Sequence, residues 1–498
     1  MSMKCLNMDP WTKFKQLIYS TRLFKASSED TQASQDQDYV KYEHIEDADE
    51  ASALKARSID EILDDIGLRM AHLKAFLLLG VLNMTHSLEV SMLSIILPDL
   101  KSNWNLSSLL AGVLTLSLSI GIIIGCWFWG WVSDEYGRKR GFISSASTIL
   151  VFAFASAFSS NYYWLCVTIF LVGFGIATIF ETYVMTMELF PPKYRSTFSI
   201  LNAVFWTFGF LLSAITSIQL SNIGYHWALA IVCFPSGIFL IGFIFLPDTP
   251  YYHLAAGDQQ KALNILQDFA PEMDLSNTRL KRDTESKRAN ITQLFRSGYW
   301  KITICACIAT FTIMMAYYVL IFTASDVAFH YSNSRSITSL HDKNPRGSRG
   351  ILYSTVAWMN LPELLMIISV AAGCYVIAVK KAVLGLLLLT TILQIIASFL
   401  LKHKIALLVV TMLSRSLVVS AVNVFYVYAS LLYPTETRSI GVGVCFSMGH
   451  VGMVLGPFIF ETLFEQTYIY GILSNIGILL IGLMSVALLP SQSSYTLG

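Results

Sequence analysis

Charged residues make up only 13% of this chain and hydrophobic residues 54%, where a soluble domain carries about 25% charged residues. The charges and amides inside its apolar runs are therefore the first candidates for chemistry. Asn83, His86 and Glu89 fall at steps of three and share one broad helical face. A His with a Glu can exchange a proton near neutral pH, which suits proton coupling or an ion pair; the other reading is a satisfied structural pair between helices. Glu181, next to Thr182, is embedded mid-run and reads as a cavity-facing acid. Trp358, Asn360 and Glu363 cluster around Pro362, whose ring would break a helix and free a backbone carbonyl. Arg415 lies in the middle of an apolar run and either pairs with Glu89, Glu181 or Glu363 or holds an anionic group of a ligand. Tyr317, Tyr318, Asn423 and Tyr426 read as cavity walls, and rings of this kind cage organic cations. Four embedded acids (Glu89, Glu181, Glu363, Glu461) face one Arg and one His, which leans toward a cationic or zwitterionic small molecule.

This is the chemistry of binding and proton transfer. No nucleophile–base set and no His-Cys cluster with metal-ligand spacing is present, so the chain reads as a non-enzyme with no cofactor and no metal site. A net charge of +1 points away from nucleic acid. Cys126, Cys166, Cys233, Cys305, Cys307, Cys374 and Cys445 sit in apolar segments and read as small buried hydrophobes.

The elements that must position these groups are apolar runs of about twenty residues, the length needed to cross a bilayer. Twelve are read, at 74–98, 108–132, 142–160, 163–188, 198–220, 226–247, 300–325, 351–379, 383–401, 405–432, 439–463 and 468–489. The expected class is an all-α membrane protein. A polar tail at 1–57 is expected to be disordered. At 58–73 a short amphipathic helix is expected: Ser58 and Glu61 form a capping-box pattern, Ile59, Ile62, Leu63 and Ile66 make one face, and Gly67 ends it. Six spans at 74–247, a polar linker at 248–299 and six spans at 300–489 follow, with a short tail at 490–498. Placing the N-terminus in the cytosol gives the inner loops fifteen Lys and Arg against seven outside, so both termini are expected to be cytosolic.

One run stands apart: Gly130-Trp-Val-Ser-Asp134-Glu-Tyr-Gly137-Arg138-Lys139-Arg140, between the second and third spans. Charge this close to hydrocarbon is costly and suggests a role at the membrane surface. The chain also repeats. Met187-E-L-F-P-P-K-Y-R-Ser196 returns as Ser430-L-L-Y-P-T-E-T-R-Ser439 at an offset of 243 residues. Parallel halves of this kind build one large class of secondary transporters.

The 6+6 pattern, the G-x-x-x-D-x-x-G-R-K-R turn and Glu188-x6-Arg195 resemble the major facilitator superfamily. The stretches 88–98, 172–176, 246–250 and 426–438 are similar to its synaptic-vesicle-2-related group, near the sugar and organic-ion porters. The resemblance implies twelve helices in two six-helix bundles around a central cavity, with alternating access by rocking. It implies that Gly130, Asp134, Gly137, Arg138, Lys139, Glu188, Arg195, Glu436 and Arg438 form a conformational gate, in which Asp134 caps a helix of the opposite bundle and Arg138 pairs with Glu188. It also implies that the second and eleventh helices meet at the bundle interface, where Gly121-x3-Gly125 and Gly452-x3-Gly456 pack on one reading; the other reading is ordinary tight helix packing. Some positions depart from the pattern. Ile169 replaces an Arg, Leu431 replaces the second-half Glu, and Tyr375, Ala378 and Val379 stand where Asp, Gly and Arg belong. The implied function is secondary transport of a small organic solute or ion across an intracellular-vesicle or plasma membrane. The alternative is a vesicle-membrane receptor or scaffold that retains the fold without transporting.

Overall fold

The computed structural model describes residues 55–220, 227, 237, 240–243, 245–281, 294–295, 299–336, 361–434, 437–459 and 468–490. Trp358, Asn360, Glu436 and Glu461 lie outside them, as do most of the 1–57 tail and of the sixth span, and all of the 490–498 tail but Pro490. By contacts the chain divides into a small unit, up to Arg57 with Asp274–Arg279, and a large one of Ser58–Met273 with Leu280–Gly498. The strands β1 (Lys55–Arg57) and β2 (Thr278–Leu280) form a two-stranded sheet. The site lies in the large unit.

The large unit is helical among its described residues. It opens with α1 (Ile59–Ile66), whose Ser58–Glu61 capping box is closed in both directions. Ile59, Ile62, Leu63 and Ile66 are buried, and Gly67 ends the helix at φ +64°. Eight residues are too few to stay helical alone, so this buried face holds α1 in place. The first bundle holds α2 (Met70–Asn103), α3 (Ser108–Tyr136), α4 (Arg138–Ala157), α5 (Tyr162–Ile176), α6 (Ile179–Leu189) and α7 (Pro192–Leu220). The linker folds α8 (Pro250–Ala255) and α9 (Gln259–Phe269). The second bundle holds α10 (Trp300–Ser336), α11 (Leu361–Gly373), α12 (Val379–Phe399), α13 (Lys404–Leu432), α14 (Arg438–Ile459) and α15 (Tyr468–Leu488). Ten helical segments of the described chain are long and apolar enough to cross a membrane, α5 and α6 together forming one of them.

Three differences from the sequence reading have physical causes. The charged turn is tighter than its length in sequence suggests, with most of its residues helical. Helix α3 runs through Asp134 to Tyr136 and α4 starts at Arg138, with Gly137 alone reversing the chain at φ +102°. A Cβ there would also come within 2.5 Å of the Asp248 carboxylate, so only glycine fits. The fourth span is not one helix. It breaks at Ala177–Thr178, where the Thr178 hydroxyl donates to the Gly175 carbonyl at 3.3 Å and lies 2.8 Å from Ser145 Oγ, competing with the helical ladder.

The third difference concerns the paired glycines, which pack within the bundles. A Cβ on Gly121 or Gly125 would strike α5 backbone at Phe170 or Phe174, and one on Gly452 would strike Phe311 of α10. The bundles do meet along α3 and α14, but the close approach there belongs to other glycines. A Cβ on Gly130 would sit 3.2 Å from the Ser439 carbonyl, and one on Gly443 2.8 Å from that of Cys126.

Candidate functional site

The charged turn seats its residues against both bundles. Arg138 is 2% exposed. Its guanidinium bonds the Asp134 carboxylate across the Gly137 turn, from the last turn of α3, and reaches Glu188 at the end of α6 at 3.1 Å. Glu188 is also approached by Arg438, at 3.6 Å, from the first turn of α14. The second Asp134 oxygen accepts the Ile440 N–H of α14 at 3.1 Å. A carboxylate is thus held at the positive end of a helix from the other bundle. Just above, Glu181 accepts from Ser439 Oγ at 3.2 Å, another contact between bundles. Lys139 faces the linker, its N–H 3.4 Å from Asp248, and Tyr252 donates to the Glu135 carbonyl at 3.3 Å.

Arg195 lies apart from this cluster. It bonds Asp60 of α1, and the Tyr251 hydroxyl donates to the same carboxylate at 2.6 Å. Burial works against the Asp60 charge, but Arg195 and the Tyr251 hydroxyl outweigh it and hold its carboxyl below the usual range. Burial pushes the Tyr251 phenol above its ordinary range, which keeps it a donor. The Asp60 contact was not legible in sequence, because α1 and α7 meet only in the fold. Ser439 carried a faint signal as the last residue of the repeated segment.

Between the bundles lies a cavity of about 660 Å³, open side included. Tyr317, Tyr318, Asn423 and Tyr426 line it, joined by Tyr183, Trp206, Phe446 and His450. Tyr183 donates to Asn423 Oδ1 at 2.6 Å across the bundles and packs 5.6 Å from the Tyr426 ring. Tyr426 lies 4.6 Å from Phe446, on which His450 stacks at 4.7 Å. The Tyr426 hydroxyl is buried and has no hydrogen-bond partner among the described residues. A buried polar group of this kind is costly unless something bonds it, so it is open to a ligand. Tyr183, Phe446 and His450 were not singled out from sequence. Aromatic residues are ordinary in spans; His450 was the one visible signal.

Arg415 pairs with Glu363 at 2.9 Å, and Thr207 of α7 donates to the other Glu363 oxygen at 3.3 Å. Of the three acids open to it in sequence, Arg415 takes the one in its own bundle. His86 and Glu89 are both buried but form no pair. Neither His86 ring nitrogen has a hydrogen-bond partner among the described residues, nor has Glu89 Oε1. Successive steps of three precess around a helix, so a shared face does not guarantee contact. Asn83 donates to the Asn202 carbonyl at 3.1 Å, tying α2 to α7. No group of three or more His, Cys, Asp or Glu placed to hold a metal occurs among the described residues.

The arrangement is a cavity between two bundles, with a buried charge cluster tying α3 and α6 of the first to α14 of the second. A family model described as "Sugar (and other) transporter" matches residues 78–490. The synaptic vesicle 2-related protein of Xenopus laevis is 28% identical over 455 residues, 87% of this chain and 81% of that protein. The organic cation/carnitine transporter 7 of Arabidopsis thaliana is 26% identical over 484 residues, 88% of this chain and 95% of that protein. The proton:xylose symporter XylE, bound to 6-bromo-6-deoxy-D-glucose, superposes with a TM-score of 0.66 at 15% identity, covering 85% of this chain and 96% of that one. This shared fold is that of the major facilitator superfamily, twelve helices in two bundles. With its match running from residue 78 to residue 490, the chain belongs to the sugar (and other) transporter family, a membrane transporter and not an enzyme.

Proposed function

We propose that the protein moves a small organic cation or zwitterion across a membrane by alternating access, with the cavity as its binding site. The observation that carries this reading is the cavity itself. Its walls are aromatic, come from both bundles and include the unpartnered Tyr426 hydroxyl. Rings of this kind hold alkylated ammonium groups by their negative faces. The relative named as an organic cation/carnitine transporter supports the same substrate class. Glu363 is neutralised by Arg415; among the described residues Glu89, next to the cavity-lining Val90, and Glu181, tied to Ser439, each keep an unpartnered oxygen, and Glu89 is the acid assigned to balance a substrate charge. Proton coupling is assigned to Glu89 and His86, two buried groups that do not bond each other. The cluster around Asp134, Arg138 and Glu188 serves as the inner gate. The lysine and arginine distribution supports a cytosolic position for that gate and for both termini. The names of the vesicle-related relatives support an intracellular vesicle membrane.

The test is uptake by the purified protein in liposomes, using labelled choline, carnitine and tetraethylammonium with and without a pH gradient. The reading expects uptake of at least one of them, lost in Glu89→Gln and reduced at least tenfold in Tyr426→Leu. Uptake of sugars or organic anions alone would overturn the substrate class.

A further inference from the structure

The second half of the chain lacks the acidic turn of the first, with Tyr375 where the acid belongs. The structure fills this place in another way. In the first half, the end of α3 meets the start of α14 through Asp134 and the Ile440 N–H. By the repeat, the end of α11 should meet the start of α7, and it does so through rings. Tyr375 stacks on Tyr194 with centroids 6.2 Å apart and planes at 28°. The Lys193 ammonium bonds the Tyr375 hydroxyl and lies 5.7 Å from the Tyr375 centroid and 5.6 Å from that of Tyr194. Lys193 and Tyr194 are on the first bundle and Tyr375 on the second, so this contact also spans the two.

We propose that Lys193, Tyr194 and Tyr375 form the second latch of the inner gate, replacing an ion pair with a cation–π contact and a stacked pair. The distances fall within the range in which each attraction acts. An exposed ion pair at this place is screened by salt and contributes little. A ring pair keeps its apolar contact at any ionic strength, so this side of the gate needs no acid. Tyr375 and Lys193 are positioning residues: they touch no substrate and bias the fraction of time the gate is closed. The inference rests on the α3–α14 crossing being a moving gate, but its readout needs no substrate.

The readout is hydrogen–deuterium exchange in residues 437–443 of the intact protein in nanodiscs, because opening frees the Ile440 N–H. Tyr375→Leu and Lys193→Ala are each expected to speed exchange about two- to fivefold, the range for an exposed cation–π contact. The double variant is expected to exchange no faster than the faster single one. Tyr375→Phe, which keeps the ring but loses the hydroxyl that Lys193 bonds, is expected to fall between wild type and Tyr375→Leu. Unchanged exchange in Tyr375→Leu, or equal loss of protection in Phe and Leu variants, overturns the latch. So does an equal rise in residues 383–397 of α12, which would mean general loosening. Failure of uptake with a normal exchange pattern would instead count against the transport reading.

Discussion

At the scale of single residues, Arg138 shows how burial turns a surface motif into a structural commitment. Its guanidinium sits between Asp134 and Glu188, with 3% of its side chain exposed. Removing it leaves two buried carboxylates, and breaking a buried pair costs about 3–5 kcal/mol. Arg138→Ala should therefore lower the thermal midpoint in detergent by roughly 5 °C or more, which scanning fluorimetry can check. Tyr426 makes the opposite case. Its hydroxyl has no partner among the described residues, so Tyr426→Phe should leave the midpoint unchanged or slightly raised while weakening uptake severalfold. Fluorimetry and uptake on the same preparation separate the two effects. The residues that carry charge in the membrane were legible because a polar side chain in an apolar run has few bland explanations. Their pairing was not. Arg415 had three acids within the reach of sequence reasoning, and only the packing of α11 against α13 chooses Glu363. The aromatic cavity wall was half legible, since Tyr183 and Phe446 look like any other ring in a span.

The elements show what holds the cluster in register. Helix α1 lies across the cytosolic side of α7 in the proposed orientation, its four-residue apolar face buried and Asp60 bonded to Arg195 and Tyr251. Because the Asp60 carboxyl is held below its usual value, its contribution is present above the unfolded value of about 3.9 and is lost as pH falls through the lower folded value. Docking of α1 should thus be flat between pH 5 and 8 and loosen only below about pH 4. Asp60→Asn should loosen it at neutral pH, read as faster hydrogen exchange in residues 59–66. The glycines of α14 allow a second prediction. A methyl on Gly452 would meet the Phe311 backbone, so Gly452→Ala should destabilise by roughly 1–3 kcal/mol through the second bundle's own packing, leaving the α3–α14 crossing in place. Apolar periodicity made the helices themselves legible. Their ends were not, because a single glycine at Gly137 and a hydroxyl at Thr178 decide where the chain turns or breaks, and neither changes the hydropathy.

For the whole molecule, the repeat at an offset of 243 residues is the organising fact. It sets two crossings of the same kind, one at α3 and α14 and one at α11 and α7, and the chain has kept charge in the first and rings in the second. Between them and the cavity lie Glu181 with Ser439 and Tyr183 with Asn423, each a bond from one bundle to the other. In the proposed mechanism all of these contacts belong to one closed end, opening breaks them together, and that cooperation is the basis of alternating access. The most direct test is to tie that end shut. Gly130→Cys with Ser439→Cys places two thiols where α3 and α14 approach closely, a Cβ on Gly130 lying 3.2 Å from the Ser439 carbonyl, and uptake of labelled organic cations into liposomes is then measured before and after oxidation. The account predicts uptake that stops when the disulfide forms and returns when it is reduced. Uptake that continues with the bundles tied together would contradict it.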